Sequence, residues 1–483
     1  MPNPSKPDKS GKPRPLSIAI VGHTNAGKTS LLRTLTRDVK FGKVSANPGT
    51  TRASQRTDLR LDGQCALRFI DTPGLEDSVA LLEYLHDLPG ETRPERMAAF
   101  LAGPEARKTF EQEAKVLRAL SEMADAAMYV IDTREAPLPK HRAEIDILSG
   151  CGRPVMPVLN FMRSDASRSE EWHEALREGG LHAQVEFDVV APFIGGEQQL
   201  YSSLATLLPT QREHLSAVMQ TLVRQEGQRR ASACRVIASA LVEVAAMRHT
   251  LSPEKWDDET QRATVVHAFR ALVQARARRA ADDLLAIYAF GANDAELAEL
   301  PELAGRWEDD LFNPELLKQA SLRLGKGAAV GAVMGAIVDV ALAGVTLGVA
   351  ASTGAALGSI ASGGWRSALR KISGRLRGRQ ELTAEDAVLV LLAQRLLALT
   401  VALVQRGHAA QEKVRALQDT PAGETLHLQM LEDARAHPEW ARPRRGSLAA
   451  SAERRALESA LVRELSAALE ARLKNAQHAH SAG

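Results

Sequence analysis

Residues 22–29 read Gly-His-Thr-Asn-Ala-Gly-Lys-Thr, and no other stretch constrains the chain as much. Four residues separate the two glycines, and a lysine and a hydroxyl residue follow the second. A loop of this kind turns backbone N–H groups inward, and glycine lets the backbone approach closely and adopt unusual angles. It works only between a strand and a helix. Both are present. Leu16–Gly22 is an apolar run ending in glycine, and the segment after Lys28 places Leu31, Leu32 and Leu35 at helical spacing. The loop therefore cradles phosphate, with the positive end of the next helix aimed at the anion.

Four more strands are expected: Ala66–Gly74, Ala126–Asp132, Arg153–Asn160 and Ala183–Pro192. Helical patterns separate the last three. This alternation predicts an α/β domain over residues 16–208, with a mainly parallel sheet and helices on both faces. Residues 85–107 carry extra proline, glycine and charge and read as an insertion. Past residue 208 no convincing strand pattern recurs. Aromatics are only 4%, and the alanine and leucine that replace them favour helix. Residues 209–483 are thus expected to be a large all-α domain closed by an amphipathic helix.

Residues 1–15 are rich in proline, lysine and serine. They read as a disordered tail without the apolar core of a signal peptide. Three cysteines, far apart and odd in number, lack metal-ligand spacing and suit idle thiols in a reducing cytoplasm. A formal charge of +2 rules out a polycation, so nucleic-acid binding would require a local basic patch.

The expected phosphate contacts are Gly22, His23, Thr24, Asn25, Ala26, Gly27, Lys28, Thr29 and Ser30. Lys28 bridges the outer phosphates and the Thr29 hydroxyl holds Mg²⁺. Asp71, closing its strand in Asp-Thr-Pro-Gly, reaches Mg²⁺ through water, and Gly74 offers its N–H to a γ-phosphate. In the loop Asn47–Arg52, Thr51 is the first choice and Thr50 the second to complete the Mg²⁺ shell. His141 reads as a solvated loop residue.

These three motifs, in this order and spacing, resemble the translation-factor class of small GTPases. The stretches beginning Gly22-His23, Pro48-Gly49-Thr50-Thr51-Arg52 and Asp71-Thr72-Pro73-Gly74-Leu75-Glu76-Asp77 resemble the TrmE–Era–EngA branch of bacterial GTPases over residues 16–208. The whole chain resembles a bacterial family in which an Era-like G domain precedes a helical domain of unknown function. The resemblance implies GTP and GDP as ligands, Mg²⁺ as cofactor and GTP hydrolysis as the reaction. It implies a K⁺ site at Asn25 in place of an arginine finger, with stabilisation of the loop by an asparagine turn as the alternative reading. It also implies pairing of G domains across their switch segments. Leu75 stands where Ras-like enzymes carry a water-orienting glutamine, as in relatives of this branch.

The guanine signal departs from the pattern. GTPases read the base with Asn-Lys-x-Asp, whose aspartate accepts from guanine. Here the strand ends Asn160-Phe161-Met162-Arg163-Ser164-Asp165. Asn160 fits and Phe161 offers an apolar plane, but Arg163 has no acceptor. Asp165 is the nearest substitute, and the Ala191 N–H is the expected second base contact. GTP is favoured, chiefly on the resemblance, with ATP or relaxed purine specificity as the alternative.

Residues 327–364 form a Gly/Ala-rich apolar stretch interrupted by Asp339 and flanked by arginines and lysines up to Arg379. Glycines four apart allow close helix approach. The stretch reads as a membrane-inserted or surface-associated hairpin through 327–379, or as a buried hairpin of the α domain. The basic flank reads as a solvated helix rather than an RNA contact, because neither a KH-type loop nor an aromatic platform is apparent. The chain is thus expected in the cytoplasm, or peripheral to or inserted in the inner membrane. The favoured function is a GTP-hydrolysing switch; the rival is a non-catalytic nucleotide-binding scaffold.

Overall fold

A computed structural model describes residues 14–36, 55–162, 164, 166–189, 195–252, 258–288, 380–405, 430–441 and 452–481. The described residues fall into two compact units. The first comprises the chain up to Glu226, and the second nearly all the described residues after it.

The first unit is built on a six-stranded sheet: β1 (Ser17–Val21), β2 (Gln55–Leu61), β3 (Gln64–Asp71), β4 (Ala126–Asp132), β5 (Val155–Asn160) and β6 (Val185–Glu186). Its order is β2-β3-β1-β4-β5-β6. All pairings are parallel except β2 with β3. Every residue of β1 is buried, as expected of a parallel strand covered on both faces. Alternation divides the core in two. Ala19, Val21, Ala127, Tyr129 and Ile131 face one apolar cluster; Ile18, Ile20, Ala126, Met128 and Val130 face the other. The chain runs from β1 out to β2 and β3 on one side, then crosses back to β4 on the other. The strand order therefore reverses at β1, and the carboxyl end of β1 is where open sheets of this kind bind ligands.

The helices of this unit are α1 (Lys28–Thr36), α2 (Ser78–Asp87), α3 (Arg93–Ala102), α4 (Glu111–Arg118), α5 (Pro139–Ser149), α6 (Ser169–Glu178) and α7 (Gly196–Leu207). The helix Arg212–Ala246 begins here and adds Leu215, Val218 and Leu222 to one face of the core.

Three expectations about this unit need correction. Strand β2 was not anticipated, because its Gln-Arg-Thr-Asp-Leu-Arg-Leu sequence is polar apart from Leu59 and Leu61. The turn after it is Asp62-Gly63, both at positive φ (50° and 80°), the hairpin turn favoured for antiparallel strands. Of the expected strand Ala183–Pro192, the residues described, which run to Val189, pair in the sheet only at Val185–Glu186. Beyond them, Val189 N donates to the Asn160 side-chain oxygen (3.1 Å) in place of a ladder carbonyl. The 85–107 segment, read as an insertion, is ordered rather than a bare connection. It contains α3, whose Thr92 and Glu95 form a reciprocal cap, and its Met97 and Phe100 join the core.

The second unit is largely helical, with long helices at Glu259–Ile287, Asp386–Gln405 and Ala452–Ser481. It also contains a two-stranded antiparallel ladder, β7 (Arg248–Leu251) with β8 (Gln380–Thr383). Four-residue strands more than a hundred residues apart leave no periodic signal, so the all-α expectation missed them. Asp386–Gln405 is long and apolar enough to cross a membrane by length and composition, yet 78% of its most apolar window is buried inside the structure. The Gly/Ala-rich stretch 327–364 lies outside the described residues.

Candidate functional site

The loop 22–27 joins β1 to α1 at the carboxyl end of β1. Gly27 takes φ +97°, and a Cβ there would lie 2.4 Å from Asn160 Nδ2, so any side chain would displace the loop. Lys28 is buried. Its ammonium donates to the Gly22 carbonyl (2.9 Å) and the His23 carbonyl (2.7 Å). Burial lowers its pKa to about 8, opposed by the charges of Asp71, Glu144 and Glu76. The site thus holds a desolvated cation beside the loop carbonyls, ready for a stronger anionic partner.

Asp71 ends β3 almost wholly buried. Its Oδ2 accepts from the Thr29 hydroxyl (2.9 Å). Its Oδ1 is buried with no hydrogen-bond partner among the described residues. Burial raises its pKa, against the Thr29 bond and the Lys28 charge. An orphaned carboxylate oxygen beside a hydroxyl is costly in isolation. It suits a hydrated divalent cation, so the residues present fit Mg²⁺. Thr72 fixes the start of the next turn through its hydroxyl, which donates to the Ile20 carbonyl (2.8 Å). Gly74 lies against the loop: a Cβ there would be 2.2 Å from Thr24 Oγ1.

At the base end, Asn160 is fully buried and its side chain is committed. Nδ2 donates to the Ala26 carbonyl (3.0 Å), and Oδ1 accepts from the N–H groups of Phe161 (2.9 Å) and Val189 (3.1 Å). Asn160 therefore ties β5 to the phosphate loop. Phe161 sits at φ +60° with the Arg134 guanidinium 3.8 Å from its ring centroid. Asp132 fixes that guanidinium through Nε (2.9 Å) and Nη2 (2.6 Å). Arg134 escaped the sequence reading, because a stacking contact between two strand ends leaves no linear pattern.

The structure brings Gly22, Lys28, Thr29, Asp71 and Gly74 together at the carboxyl end of β1, with Asn160 and Phe161 at the end of β5, two strands away, joined to the loop by the Asn160–Ala26 bond. Asn25 is exposed at φ +68°, a left-handed geometry that asparagine tolerates. Ala26 is buried and Ser30 half-buried in α1. His23 contributes its backbone carbonyl to Lys28, while its ring turns to Leu75 and Glu144. Thr50, Thr51, Arg163, Asp165 and Ala191 lie outside the described residues. His141, expected to be solvated, is 3% exposed within α5, and its ring lies 5.0 Å from that of Trp172. Cys151 is buried, which pushes its thiol up to about 12 and leaves it unreactive at neutral pH.

Two family models match parts of the chain. Residues 17–161 match the family described as 50S ribosome-binding GTPase. GTPase Der of Azorhizobium caulinodans is 30% identical over 195 residues, 40% of this chain and 36% of Der. A probable GTP-binding protein EngB of Anaeromyxobacter is 29% identical over 174 residues, 34% of this chain and 70% of that protein. The chain thus spans about a third of the length of the Der relatives that it matches. A crystal structure of Aquifex aeolicus Era bound to GDP·AlF4⁻ aligns at 21% identity over 40% of this chain and 56% of its own, with a TM-score of 0.28. The first unit is a P-loop G domain of the GTPase type. Residues 173–463 match a domain of unknown function, DUF3482. That match covers more than half of the chain, and the protein belongs to the DUF3482 family.

Proposed function

We propose that this chain is a Mg²⁺-dependent GTPase that hydrolyses GTP to GDP and phosphate as a molecular switch, and that its helical half reads the switch state. The observation carrying the reading is the Thr29–Asp71 pair beside buried Lys28. The pair offers one unfilled carboxylate oxygen where a hydrated cation would sit, and the lysine is poised for the outer phosphates. Thr29, and Thr51 as the resemblance implies, would hold Mg²⁺, and Asp71 would face it through water; the ion would supply charge neutralisation on the transferring phosphoryl group. Lys28 and the loop amides bind the phosphates, and the Gly74 N–H meets the γ-phosphate. The exposed tip residue Asn25 holds K⁺ in the manner of the Era-like branch. Leu75 is fully buried and has no polar side-chain group, so it leaves the attacking water to be positioned by other groups.

Single-turnover hydrolysis of GTP and ATP, in KCl and in NaCl, tests the reading. GTP turnover faster in KCl is the expected result. Absence of hydrolysis in every condition would sink the enzyme in favour of the scaffold, and a preference for ATP would sink the guanine assignment. Attachment to the inner membrane through 327–379 belongs to the same proposal. Liposome sedimentation with and without residues 327–364 tests it, and equal recovery in the soluble fraction removes it. A second reading, association with ribosomal particles, is favoured by the description of the family matching residues 17–161. Co-sedimentation with 50S subunits in the presence of a non-hydrolysable GTP analogue tests that reading.

A further inference from the structure

His23 belongs to the phosphate loop, but its ring serves another segment. Nδ1 lies 2.9 Å from the Leu75 carbonyl and 2.8 Å from Glu144 Oε1. Both are acceptors, so Nδ1 carries the hydrogen and shares it between them. Nε2 is then the acceptor for the Lys140 ammonium at 3.0 Å. The His141 ring stands edge-on to the same imidazole, with centroids 5.4 Å apart. These neighbours hold the His23 ring in one tautomer and one orientation.

Glu144 is the fixed end of the link. It lies fully buried in α5, and its other oxygen accepts the Tyr129 hydroxyl of β4 (2.8 Å). A carboxylate sealed from water is costly unless donors replace its hydration, and an apolar side chain of its size would fill the space more cheaply. What the charge secures is the contact that His23 makes. That contact joins the two backbone segments assigned above to the outer phosphates. The Leu75 N–H donates to the Gly22 carbonyl (3.4 Å), and the His23 ring returns a hydrogen to the Leu75 carbonyl. Gly74, the preceding residue, packs so closely on the loop that a Cβ there would lie 2.8 Å from the Thr24 nitrogen. The other bond between loop and turn, Thr24 Oγ1 to Glu76 Oε1 (3.2 Å), is exposed. Past the turn, the N–H groups of Glu76 and Asp77 donate to buried Glu113 Oε1 (3.3 and 3.1 Å).

We propose that His23 and Glu144 are positioning residues that set the register of the Asp71–Gly74 turn against the phosphate loop, so that the loop amides and the Gly74 N–H converge on the same γ-phosphate. The inference rests on the GTPase reading for its reaction. Both side chains act through Leu75 rather than on the ligand. A displaced donor costs more in turnover than in binding, because it stabilises charge that develops in the transition state. GDP lacks the γ-phosphate and does not call on Gly74.

The experiment compares the full chain with His23→Ala, His23→Asn and His23→Gln. The asparagine amide N–H can take the place of Nδ1–H; the glutamine amide lies one bond farther out, toward Lys140. GTP turnover is expected to fall about thirtyfold in His23→Ala and His23→Gln and to recover to within about threefold of the native chain in His23→Asn. KM for GTP and affinity for GDP should stay within about threefold throughout, and GDP stoichiometry reports the folded fraction. The double variant Glu144→Leu/Tyr129→Phe, apolar and of similar volume, should melt within a few degrees of the native chain yet lose about tenfold in kcat. The role is overturned if kcat ignores His23→Ala, if His23→Asn loses as much as His23→Gln, or if GDP affinity falls along with kcat. Side-chain nitrogen NMR of the histidine-labelled chain should show His23 as the Nδ1–H tautomer, and the Nε2–H tautomer would overturn the link whatever the turnover. A native chain that hydrolyses no nucleotide would remove the GTPase reading and the positioning role with it, whereas hydrolysis indifferent to the His23 variants would remove the role alone.

Discussion

The G domain and the helical unit bury charge to opposite ends. In the G domain, Lys28 and Asp71 are buried at the phosphate loop: among the described residues Lys28 donates only to loop carbonyls, and Asp71 Oδ1 lacks a hydrogen-bond partner, as Arg276 Nη1 and Arg435 Nε do in the helical unit. In the helical unit, buried cations are arginines that tie elements together. Glu243 receives Arg276 Nε at 2.5 Å and Arg454 Nη2 at 3.4 Å. Arg435 donates to the Ala384 carbonyl (3.0 Å) and to Asp386 (2.5 Å). Arg472 donates to the Gln394 carbonyl (3.3 Å). Arginine stays charged and spreads several donors in a plane, which suits a permanent staple. Lysine is a compact charge whose pKa burial can tune, which suits the phosphate-binding role proposed for Lys28. The difference separates a charge kept for a ligand from charges kept for packing.

The sharpest way to break this comparison is Glu243→Ala. It leaves Arg276 and Arg454 buried without their shared carboxylate, and the expected cost is about 3–5 kcal/mol. Hydrogen exchange of the helix Glu259–Ile287 in the full chain measures it. A change under about 1 kcal/mol would mean that the arginines are accommodated some other way and that the staple is not one.

The next test addresses the lysine side. Burial lowers Lys28 to about 8, and a bound phosphate would favour its charged form. Binding therefore takes up a proton once the pH exceeds about 8. Nucleotide affinity is expected to be roughly constant from pH 6.5 to 7.5 and about tenfold weaker at pH 9 than at pH 7. Calorimetry in buffers of different ionisation enthalpy should show uptake approaching one proton at pH 9 and almost none at pH 6.5. A pH-independent proton count would place Lys28 outside the binding event.

The same contrast explains what the sequence made legible. The phosphate loop, its strand and helix, and Asp71 were readable because covalent spacing fixes them: Gly27, Lys28 and Thr29 are neighbours, and Asp71 ends a strong apolar run. Strand β2 was readable only in its Asp62-Gly63 turn, since an edge strand with one buried face carries few apolar residues. The contact of Arg134 with Phe161, the clasp of Glu113 on Glu76 and Asp77, and the union of Arg276 and Arg454 on Glu243 were not readable. Each joins residues tens to hundreds of positions apart through a charged or polar group, and polar side chains carry no periodicity that marks their partner. For the same reason the buried histidine at 141 looked like a solvated one.

The smallest expected effect concerns a charge in the helical unit that its surroundings resist. Glu385 is half-buried beside Asp386. Burial first, then the Asp386 charge, raises its pKa from 4.5 to about 7, while Arg435 pulls it down. A carboxyl raised on folding binds its proton more tightly in the folded chain between pH 4.5 and 7. Stability is therefore unaffected below pH 4.5, falls as the pH rises through that window, and carries the full penalty above pH 7. At 1.36 kcal/mol per unit the bound is roughly 3 kcal/mol, and solvent screening of a half-buried group reduces it to about 1–2 kcal/mol. Glu385→Gln removes the charge at every pH. The variant should be more stable than the native chain by that amount at pH 8 and equal to it at pH 4.5, read from exchange of the helix Asp386–Gln405. An equal shift at both values would assign the effect to packing and leave Arg435 as sufficient compensation. A shift at pH 8 alone would show that this unit also contains a charge its arginines do not fully offset.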